Sequence, residues 1–344
     1  MDTIRIIEPG PLTTIQDKGR KGYQRFGMPV AGAMDLFSYT VANLLVGNND
    51  GDAAIEFTLQ GPKMEFLKNA VIAVTGADAA PFIDGKPVAM WQSLFVKKGS
   101  IISFGSLKTG LRGYIAVRGG IDVPLVMGSR STYLRAKLGG LDGRKLASGD
   151  VIKVYETSNS VPFKERILPK HLIPRYKNEA EIRVILGPQD ELFENESIDV
   201  FLSSMYEVTP QSDRMGYRLK GPIIEHKESA DIISDGIPLG AIQVPGHGQP
   251  IIMLADRQTT GGYAKIATVI SVDLNKITQL KPGDKIKFTK TTLEEAREAI
   301  IAQHKIFEEL KTKPKTVQPA KLYRIVVSGK EFFVKVEEIN QSGC

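Results

Sequence analysis

Residues 209–222 read TPQSDRMGYRLKGP and repeat an earlier stretch of the same chain, TIQDKGRKGYQRFGMP at residues 14–29. Each stretch holds a Gln, an Asp and an Arg, then Gly-Tyr, and each ends on a Gly close to a Pro. Three further pairs match in the same order: IRIIEPGP (4–11) with IRVILGP (182–188), AAIEFTLQGPKMEF (53–66) with GAIQVPGHGQPIIML (240–254), and ASGDVIKVY (147–155) with KPGDKIKF (281–288). Four matches in series indicate an internal duplication, with an insertion in the first copy before its Gly-Asp turn.

Short apolar runs rich in Val and Ile, such as AVIAVTG at residues 70–76, recur along the chain between Gly, Pro, Asp and Asn residues. This pattern is typical of many short strands joined by turns. Two segments favour helices instead. Residues 34–47 can be capped by Asp35, and residues 292–311 open with a Thr-x-x-Glu capping box.

Two duplicated β-barrels that face one another fit this pattern, because closure of a barrel removes exposed strand edges. Polar segments that match between the copies would then line one shared cleft. The sequence therefore predicts a mainly β protein with a few helices. We expect a first domain with an insertion (1–165), a second domain (178–290), and a C-terminal helix, Lys/Pro linker and β-hairpin around Ser328-Gly329 (291–344).

Composition excludes several classes of function. The 344 residues carry a net charge of +6, but the basic residues are scattered, which argues against nucleic-acid binding. The single cysteine, Cys344, permits no disulfide within the chain and no Cys-based zinc site, and the four histidines lack metal-ligand spacing. No apolar run reaches the ~18 residues of a membrane span. Because the N-terminus also lacks a signal-peptide layout, we expect a cytoplasmic protein without a metal.

The segment DRMGYRL at residues 213–219 places Arg214 and Arg218 on either side of Gly-Tyr. A guanidinium group can hold a carboxylate through two parallel hydrogen bonds, so this segment is a candidate anion site. The alternative is a surface strand with Arg–Asp pairs. Motifs for a P-loop, a dinucleotide fold, a zincin or a nucleophile elbow do not occur in the sequence.

Two more segments of the second copy are rich in hydrogen-bonding groups. IQVPGHGQP at residues 242–250 offers amide groups beside glycines, or it forms only a tight hairpin loop. DRQTTGGYAKI at residues 256–266 follows a predicted buried strand and could form an anion-binding nest, with its Asp acting as a base or as the partner of the next Arg. The candidate side chains of these two segments are Gln243, Gln249, Asp256, Arg257, Thr259, Thr260 and Tyr263.

The first copy holds residue types that suit comparable roles. Four of these residues lie in the stretches around and before the start of the first predicted helix. A fifth, Glu56, lies where the second copy has Gln243, and the sixth, Arg118, ends another predicted strand. These candidates are Gln16, Asp17, Arg20, Asp35, Glu56 and Arg118.

The chain resembles the family called allophanate hydrolase subunit 2, KipA or 5-oxoprolinase C-subunit, which is related to the carboxyltransferase part of urea carboxylase. The resemblance rests on TIQDKGRKGY, GMPVAGAMD, SDRMGYRLKG and IQVPGHGQPIIMLADRQTTGGYAKIATVISVDL, and it covers residues 3–290. It implies a pair of cyclophilin-like β-barrels. It also implies one subunit of a hetero-oligomeric, ATP-dependent 5-oxoprolinase that opens the lactam of 5-oxoproline to glutamate with KipI-like and LamB/YcsF-like subunits, where ATP binds this chain or a partner.

Two other functions are attached to this resemblance. One is a biotin-dependent carboxyltransferase that acts on a urea-like amide, with biotin delivered by a partner carrier. The other is a regulator that binds a KipI-like kinase inhibitor and has no catalytic activity. The tail KLYRIVVSGKEFFVKVEEI resembles the opening strands of a biotin carrier domain without its Met-Lys-Met motif, and an unrelated hairpin is the alternative.

Residue types and resemblance together give a hypothesis for an amide or lactam site. In this hypothesis Arg214 and Arg218 hold a carboxylate, and either Asp213 or Asp256 transfers protons. Thr259 and Thr260 stabilise the developing oxyanion, and the remaining candidates orient the substrate.

Overall fold

A computed structural model gives the fold of most of the chain. It describes residues 2–156 and 165–312 in full, and only the backbone of 315–316, 321–327 and 330–336. The predicted turn at Ser328-Gly329 and the single cysteine, Cys344, lie outside the described residues.

The first half of the chain, residues 2–156, forms two β-sheets around one apolar core. A six-stranded sheet has the order β11-β1-β4-β9-β6-β7, and a five-stranded sheet has the order β2-β3-β10-β5-β8. Ile4, Ile55 and Phe66 are fully buried between them. The strands are β1 (Asp2–Glu8), β2 (Leu12–Gln16), β3 (Ala54–Thr58), β4 (Lys63–Phe66), β5 (Ala70–Gly76), β6 (Pro81–Ile83), β7 (Lys86–Pro87), β8 (Ser93–Val96), β9 (Ile101–Phe104), β10 (Arg112–Val117) and β11 (Val151–Lys153).

The second half, residues 179–290, forms a closed seven-stranded barrel in the order β13-β20-β17-β18-β15-β14-β21. Two further strands, β16 and β19, pair only with each other, and we call this pair the ribbon. The strands are β13 (Glu179–Leu186), β14 (Met205–Val208), β15 (Gly216–Lys220), β16 (Asp231–Gly236), β17 (Ala241–Gln243), β18 (Ile251–Met253), β19 (Thr260–Tyr263), β20 (Lys265–Val269) and β21 (Lys285–Lys290).

The two halves keep their repeated segments but differ in strand pairing. The strand after the Gly-Asp turn lies beside the first strand in both halves, yet β11 is antiparallel to β1 whereas β21 is parallel to β13. Between segments 53–66 and 147–155 the first half has six strands, β5 to β10. The second half has only β19 and β20 between segments 240–254 and 281–288. The additional strands extend the sheets of the first half, which stay open, while the shorter second half closes.

Both predicted helices are present. Asp35 caps α1 by accepting a 2.9 Å hydrogen bond from the Ser38 backbone N–H. In the capping box of α4, Thr292 and Glu295 exchange side-chain to backbone hydrogen bonds of 3.1 and 3.2 Å. Two short helices, α2 and α3, were not predicted. The helices are α1 (Leu36–Leu45), α2 (Asn195–Ser203), α3 (Leu274–Ile277) and α4 (Leu293–Thr312).

The remaining strands lie in the connector between the two halves and in the C-terminal region, which also contributes α4. The connector holds β12 (Arg166–Ile167), and the C-terminal region holds β22 (Lys315–Thr316), β23 (Lys321–Val327) and β24 (Lys330–Val336). β22 pairs with β12, and β23 pairs with β24 as the sequence predicted for the tail. Within the described residues no helix combines the length and apolar character needed to cross a membrane.

Asp273, at the start of α3, ties this helix to β13. It is almost completely buried, accepts two 2.9 Å hydrogen bonds from the Arg183 guanidinium and lies 3.0 Å from the Lys276 ammonium. Burial opposes its ionisation, but the hydrogen bonds from Arg183 and the charge of Lys276 outweigh burial and lower the pKa of Asp273.

Replacing Asp273 with Asn is expected to lower the free energy of unfolding at pH 7 by about 1–2 kcal/mol, because charged hydrogen bonds are lost to a partly exposed Arg183. A carboxylate with a lowered pKa stabilises the fold above its unfolded pKa and loses this effect as pH falls through its folded pKa. Urea unfolding between pH 7 and pH 3 should therefore show the two proteins converging below about pH 4. An equal gap at every pH would contradict this assignment.

Candidate functional site

A cavity of about 780 Å³ lies where the first half, the second half and α4 meet. We call it the large cavity. Its apolar wall is formed by Val30, Ala33 and Leu36 of the first half, by Leu239, Leu254 and Leu274 of the second half, and by Phe307 of α4. The predicted shared cleft therefore exists, and a helix beyond the duplicated region completes it.

A second cavity of about 380 Å³, the small cavity, adjoins the first. The two cavities share Gln24, Val30 and Arg257 in their walls. The small cavity also contacts Thr259 and the base of the ribbon at Gly236. A group bound in one cavity would thus lie close to a group bound in the other.

Arg257 is the charged side chain common to both cavities. Its guanidinium donates hydrogen bonds to two backbone carbonyls, from Nε to Ile237 at 2.9 Å and from Nη1 to Leu254 at 3.2 Å. It is only 8% exposed, and among the described residues no carboxylate forms an ion pair with it. Burial lowers the pKa of Arg257 to about 10, so the side chain is still a cation at neutral pH. An unpaired buried cation at a cavity wall is suited to bind an anion.

Arg214 lies behind this wall with its charge already neutralised. It forms a two-pronged pair with Asp256, with both N–O distances 3.0 Å, and it contacts Glu56 of the first half. Its Nη2 also donates to the Gly32 carbonyl at 2.6 Å. Burial alone would lower the pKa of Arg214, but the charges of Asp256 and Glu56 outweigh burial and raise it. The Glu56–Arg214–Asp256 triad joins the two halves.

Glu56 is held by groups around the start of α1. Its second carboxylate oxygen accepts hydrogen bonds from the Met34 backbone N–H at 2.8 Å and from the Tyr114 hydroxyl at 2.7 Å. The Tyr114 oxygen in turn accepts from the Asp35 backbone N–H. Glu56 therefore couples the cavity-lining segment around Met34 to the triad.

A second buried bridge between the halves runs through Gln279. Its amide nitrogen donates to Asp35 at 2.8 Å, and its amide oxygen accepts from the backbone N–H of Arg112 at 2.9 Å. Arg112 itself donates to the Tyr217 hydroxyl at 2.6 Å. Burial raises the pKa of Asp35, although hydrogen bonds from Ser38 and Gln279 oppose the rise. Asp35 therefore acts in helix capping and cross-linking.

The structure places the predicted arginine pair in different surroundings. Arg218 is exposed on β15 because its neighbours Tyr217 and Leu219 point into the barrel core, and alternate side chains of a strand face opposite sides. Arg214 has two carboxylate partners. Neither arginine of this pair therefore offers an unpaired cation to the cavities, whereas Arg257 is a buried cation in the walls of both.

Asp213 and Gln249 occupy turns outside the cavities. Asp213 is exposed, accepts a 2.8 Å hydrogen bond from the Met215 backbone N–H and lies 3.6 Å from the guanidinium of Arg135. The Gln249 amide donates to and accepts from the backbone of Gly221 at 3.0 and 2.8 Å. Both side chains are explained by turn geometry.

The candidate site residues that follow β18 lie in two places, the small cavity and the ribbon. Thr259 borders the small cavity, whereas Thr260 and Tyr263 are exposed on the ribbon. Gln243 is buried beneath the ribbon and donates to the Tyr263 carbonyl at 3.2 Å. A nest made by both threonines is therefore not formed in this conformation.

Gln16, Asp17 and Arg20 are buried and hold a neighbouring loop of the first half. Their side chains bond to this loop through the Thr132 carbonyl, the Ser129 hydroxyl and the Ser131 carbonyl. These hydrogen bonds direct the three side chains toward support of the loop. Arg118, at the end of β10, lies close enough to Arg166 for their charges to interact.

Sequence reasoning missed the residues at the mouth of the large cavity. Asp50 pairs with Lys18 at 2.8 Å and with Lys311 of α4 at 3.3 Å, which ties the helix to the first half. Lys21 and His304 also line the cavity. Lys18 and Lys21 lie beside the repeated Gln-Asp motif, and this position could have marked them as residues of the cleft. The residues of α4 could not be found in this way, because α4 lies outside the repeats.

Known proteins share both the sequence and the fold of this chain. The family model described as carboxyltransferase domain, subdomain A and B, matches residues 26–290. The chain is 38% identical over 307 residues to the 5-oxoprolinase C-subunit of Escherichia coli, spanning 97% of that protein. It is also 39% identical over 310 residues to urea amidolyase of Saccharomyces cerevisiae, of which it spans 17%. The crystal structure of K. lactis urea amidolyase matches 97% of this chain with a TM-score of 0.85 and 32% identity, while the chain spans 22% of that polypeptide.

Proposed function

The chain belongs to the carboxyltransferase-domain family, subdomain A and B, and from this premise we propose that it is one subunit of a heteromeric, ATP-dependent 5-oxoprolinase. In this proposal it acts with KipI-like and LamB/YcsF-like subunits, and its large cavity holds 5-oxoproline while the lactam is opened to glutamate. Support comes from the match to the E. coli 5-oxoprolinase C-subunit across nearly its full length.

Arg257 is the observation that carries the proposal. 5-Oxoproline is a small ring with one carboxylate, so it needs a cation at one end of its site and an apolar surface for the ring. Arg257 provides an unpaired cation at the wall of the large cavity. Leu254 and Leu274 provide apolar surface beside it.

Asp256 has a positioning role in this proposal. Both of its carboxylate oxygens are hydrogen-bonded by Arg214, and its backbone N–H donates to the Arg214 carbonyl at 2.9 Å. These contacts fix the loop that begins at Asp256 and so set the direction of Arg257. A direct role of Asp256 in proton transfer would require it to leave Arg214.

We assign ATP to a partner subunit. The sequence lacks a P-loop. Two of the lysines that line the large cavity, Lys18 and Lys311, are also already paired with Asp50.

Biotin-dependent carboxyltransfer to a urea-like amide is the second candidate, with biotin delivered by a partner carrier. The specific support is the structural match to urea amidolyase over almost the whole chain. Carboxylated biotin would bring a carboxyl group on a ring nitrogen. Arg257 would hold that carboxylate, and the apolar wall around Leu254 would contact the ring.

Reconstitution with partner subunits tests the proposal. The chain is mixed with KipI-like and LamB/YcsF-like subunits, ATP and 5-oxoproline, and glutamate is measured. Leu239→Trp should narrow the large cavity and lower glutamate formation at least about tenfold, whereas the matched exposed change Leu125→Trp should leave it unaltered. A parallel mixture holds the chain, urea and a carboxylated biotin carrier. Avidin-sensitive transfer of the carboxyl group to urea there, without glutamate release in the first mixture, would establish the second candidate instead. Glutamate release unaffected by Leu239→Trp would show that the large cavity is not the substrate site.

A further inference from the structure

The wall of the small cavity combines apolar residues such as Val30, Ile237 and Pro238 with polar groups and one charged side chain. Its lining includes the Gln24 and Gln258 amides, the Thr259 hydroxyl and the backbone of Gly236 at the base of the ribbon. Arg257 is the charged residue among the lining residues, and none of them is a carboxylate. In the large cavity, by contrast, carboxylates accompany the lysines at the mouth. The small cavity is therefore the more strongly anion-selective of the two.

Arg257 has donors to spare for a second ligand. A guanidinium carries five N–H groups, and the backbone carbonyls of Ile237 and Leu254 accept two of them. Within the described residues the other three have no hydrogen-bond partner. Because the side chain forms part of both walls, its planar group can present N–H bonds to each cavity.

The size of the small cavity limits what it can take. At about 380 Å³ it lies near the lower end of the range for small-molecule sites, and it is partly open to solvent. The large cavity has the more extensive apolar surface and is therefore better suited to an organic ring. A compact ion with several acceptor oxygens would use the Arg257, Gln258 and Thr259 donors together.

We propose that the small cavity is a second binding site, specific for a small inorganic oxyanion such as phosphate or bicarbonate, held by Arg257, Gln258 and Thr259. The inference goes beyond the proposed function, because it assigns a second ligand next to the organic one. The two ions are chemically alike in this site. Phosphate is a product of ATP cleavage, and bicarbonate is a carboxyl-group source, so the preferred ion would also separate the two candidate reactions.

Isothermal titration calorimetry of the full chain at low ionic strength tests the proposal, with inorganic phosphate and bicarbonate in separate titrations. Thr259→Val removes the hydroxyl at nearly constant volume, and Gln258→Leu removes the amide. We expect at least one ion to bind, the double variant to weaken that binding about tenfold or more, and Arg257→Met to abolish it. Gln258 and Thr259 are exposed or half-buried, so thermal unfolding should confirm that the variants fold.

Leu239→Trp supplies the control, since Leu239 lines the large cavity and not the small one. Ion affinity within about twofold of the wild type in this variant supports a separate site. The proposal is overturned if neither ion binds, if the double variant binds as well as the wild type, or if Leu239→Trp abolishes binding. Failure here with normal glutamate formation would leave the proposed function standing. Ion binding without glutamate formation would support the ion site and contradict the proposed function.

Discussion

Replacing Arg257 with Met is expected to lower kcat/KM for 5-oxoproline in the assembled enzyme by about 100-fold, chiefly through KM. The lost interaction is a charged hydrogen bond to a carboxylate in a desolvated site, which contributes roughly 1.5–3 kcal/mol. Arg257→Lys keeps the charge but not the planar fork, so it should recover only part of the activity. Steady-state glutamate release with varied 5-oxoproline gives both parameters.

The same substitution at Arg218 is the matched control. Arg218→Met removes an equal charge from the outer face of β15 and should leave both parameters within about twofold. A stability measurement separates substrate binding from a structural role. Because Arg257 has no acid partner among the described residues, Arg257→Met should lower the free energy of unfolding by no more than about 1–2 kcal/mol, from the loss of its hydrogen bond to the Ile237 carbonyl. A lower kcat/KM accompanied by a loss of stability as large as that expected for Arg214→Met would contradict the anion-binding role.

Replacing Arg214 with Met is expected to lower the free energy of unfolding by about 3–5 kcal/mol, because it leaves Glu56 and Asp256 buried without a counter-charge. Urea unfolding at pH 7 measures this change. Arg257 is a direct comparison, since Arg214 is paired with two carboxylates whereas Arg257, among the described residues, is paired with none. Identical substitutions should therefore change stability by very different amounts.

A multiple variant distinguishes an ionic triad from simple packing around Arg214. In the combination Arg214→Met, Glu56→Gln and Asp256→Asn, no buried charge of the triad remains. Much of the stability lost in Arg214→Met should return, since uncompensated charge accounts for most of the penalty. If the triple variant is no more stable than the single one, the penalty comes from lost shape complementarity.

The two arginines also show where sequence reasoning reached its limit. Each follows an aspartate in the chain, as Asp213-Arg214 and Asp256-Arg257. Pairing of neighbouring Asp and Arg residues was one alternative that the sequence left open for both segments. In the structure neither dipeptide pairs internally, because Asp256 binds Arg214 while Asp213 lies at the surface near Arg135. The Asp256–Arg214 pair depends on the approach of the segment before β15 to the loop after β18, and such long-range contacts have no signature in residue spacing.

The fold was easier to predict from the sequence than the site was. Short β-branched runs predicted a mainly β protein, and local capping signals predicted α1 and α4, because these features depend on neighbouring residues. α2 was missed because only Ser197 and Phe201 of its nine residues are buried, which gives a weak apolar pattern. The seven-stranded closure and the open sheets of the first half depend on pairing between distant strands. The role of α4 as a cavity wall likewise arises from tertiary packing.

The Glu56–Arg214–Asp256 bridge has a consequence for the autonomy of the two halves. A polypeptide ending before β13 would lose the guanidinium that balances the charge of Glu56. The other fragment would bring its own acid, Asp256, but would expose a guanidinium face shaped for the missing neighbour. Neither portion is thus a portable module. Separate expression of either portion is therefore expected to give a less stable protein than the two portions joined in one chain.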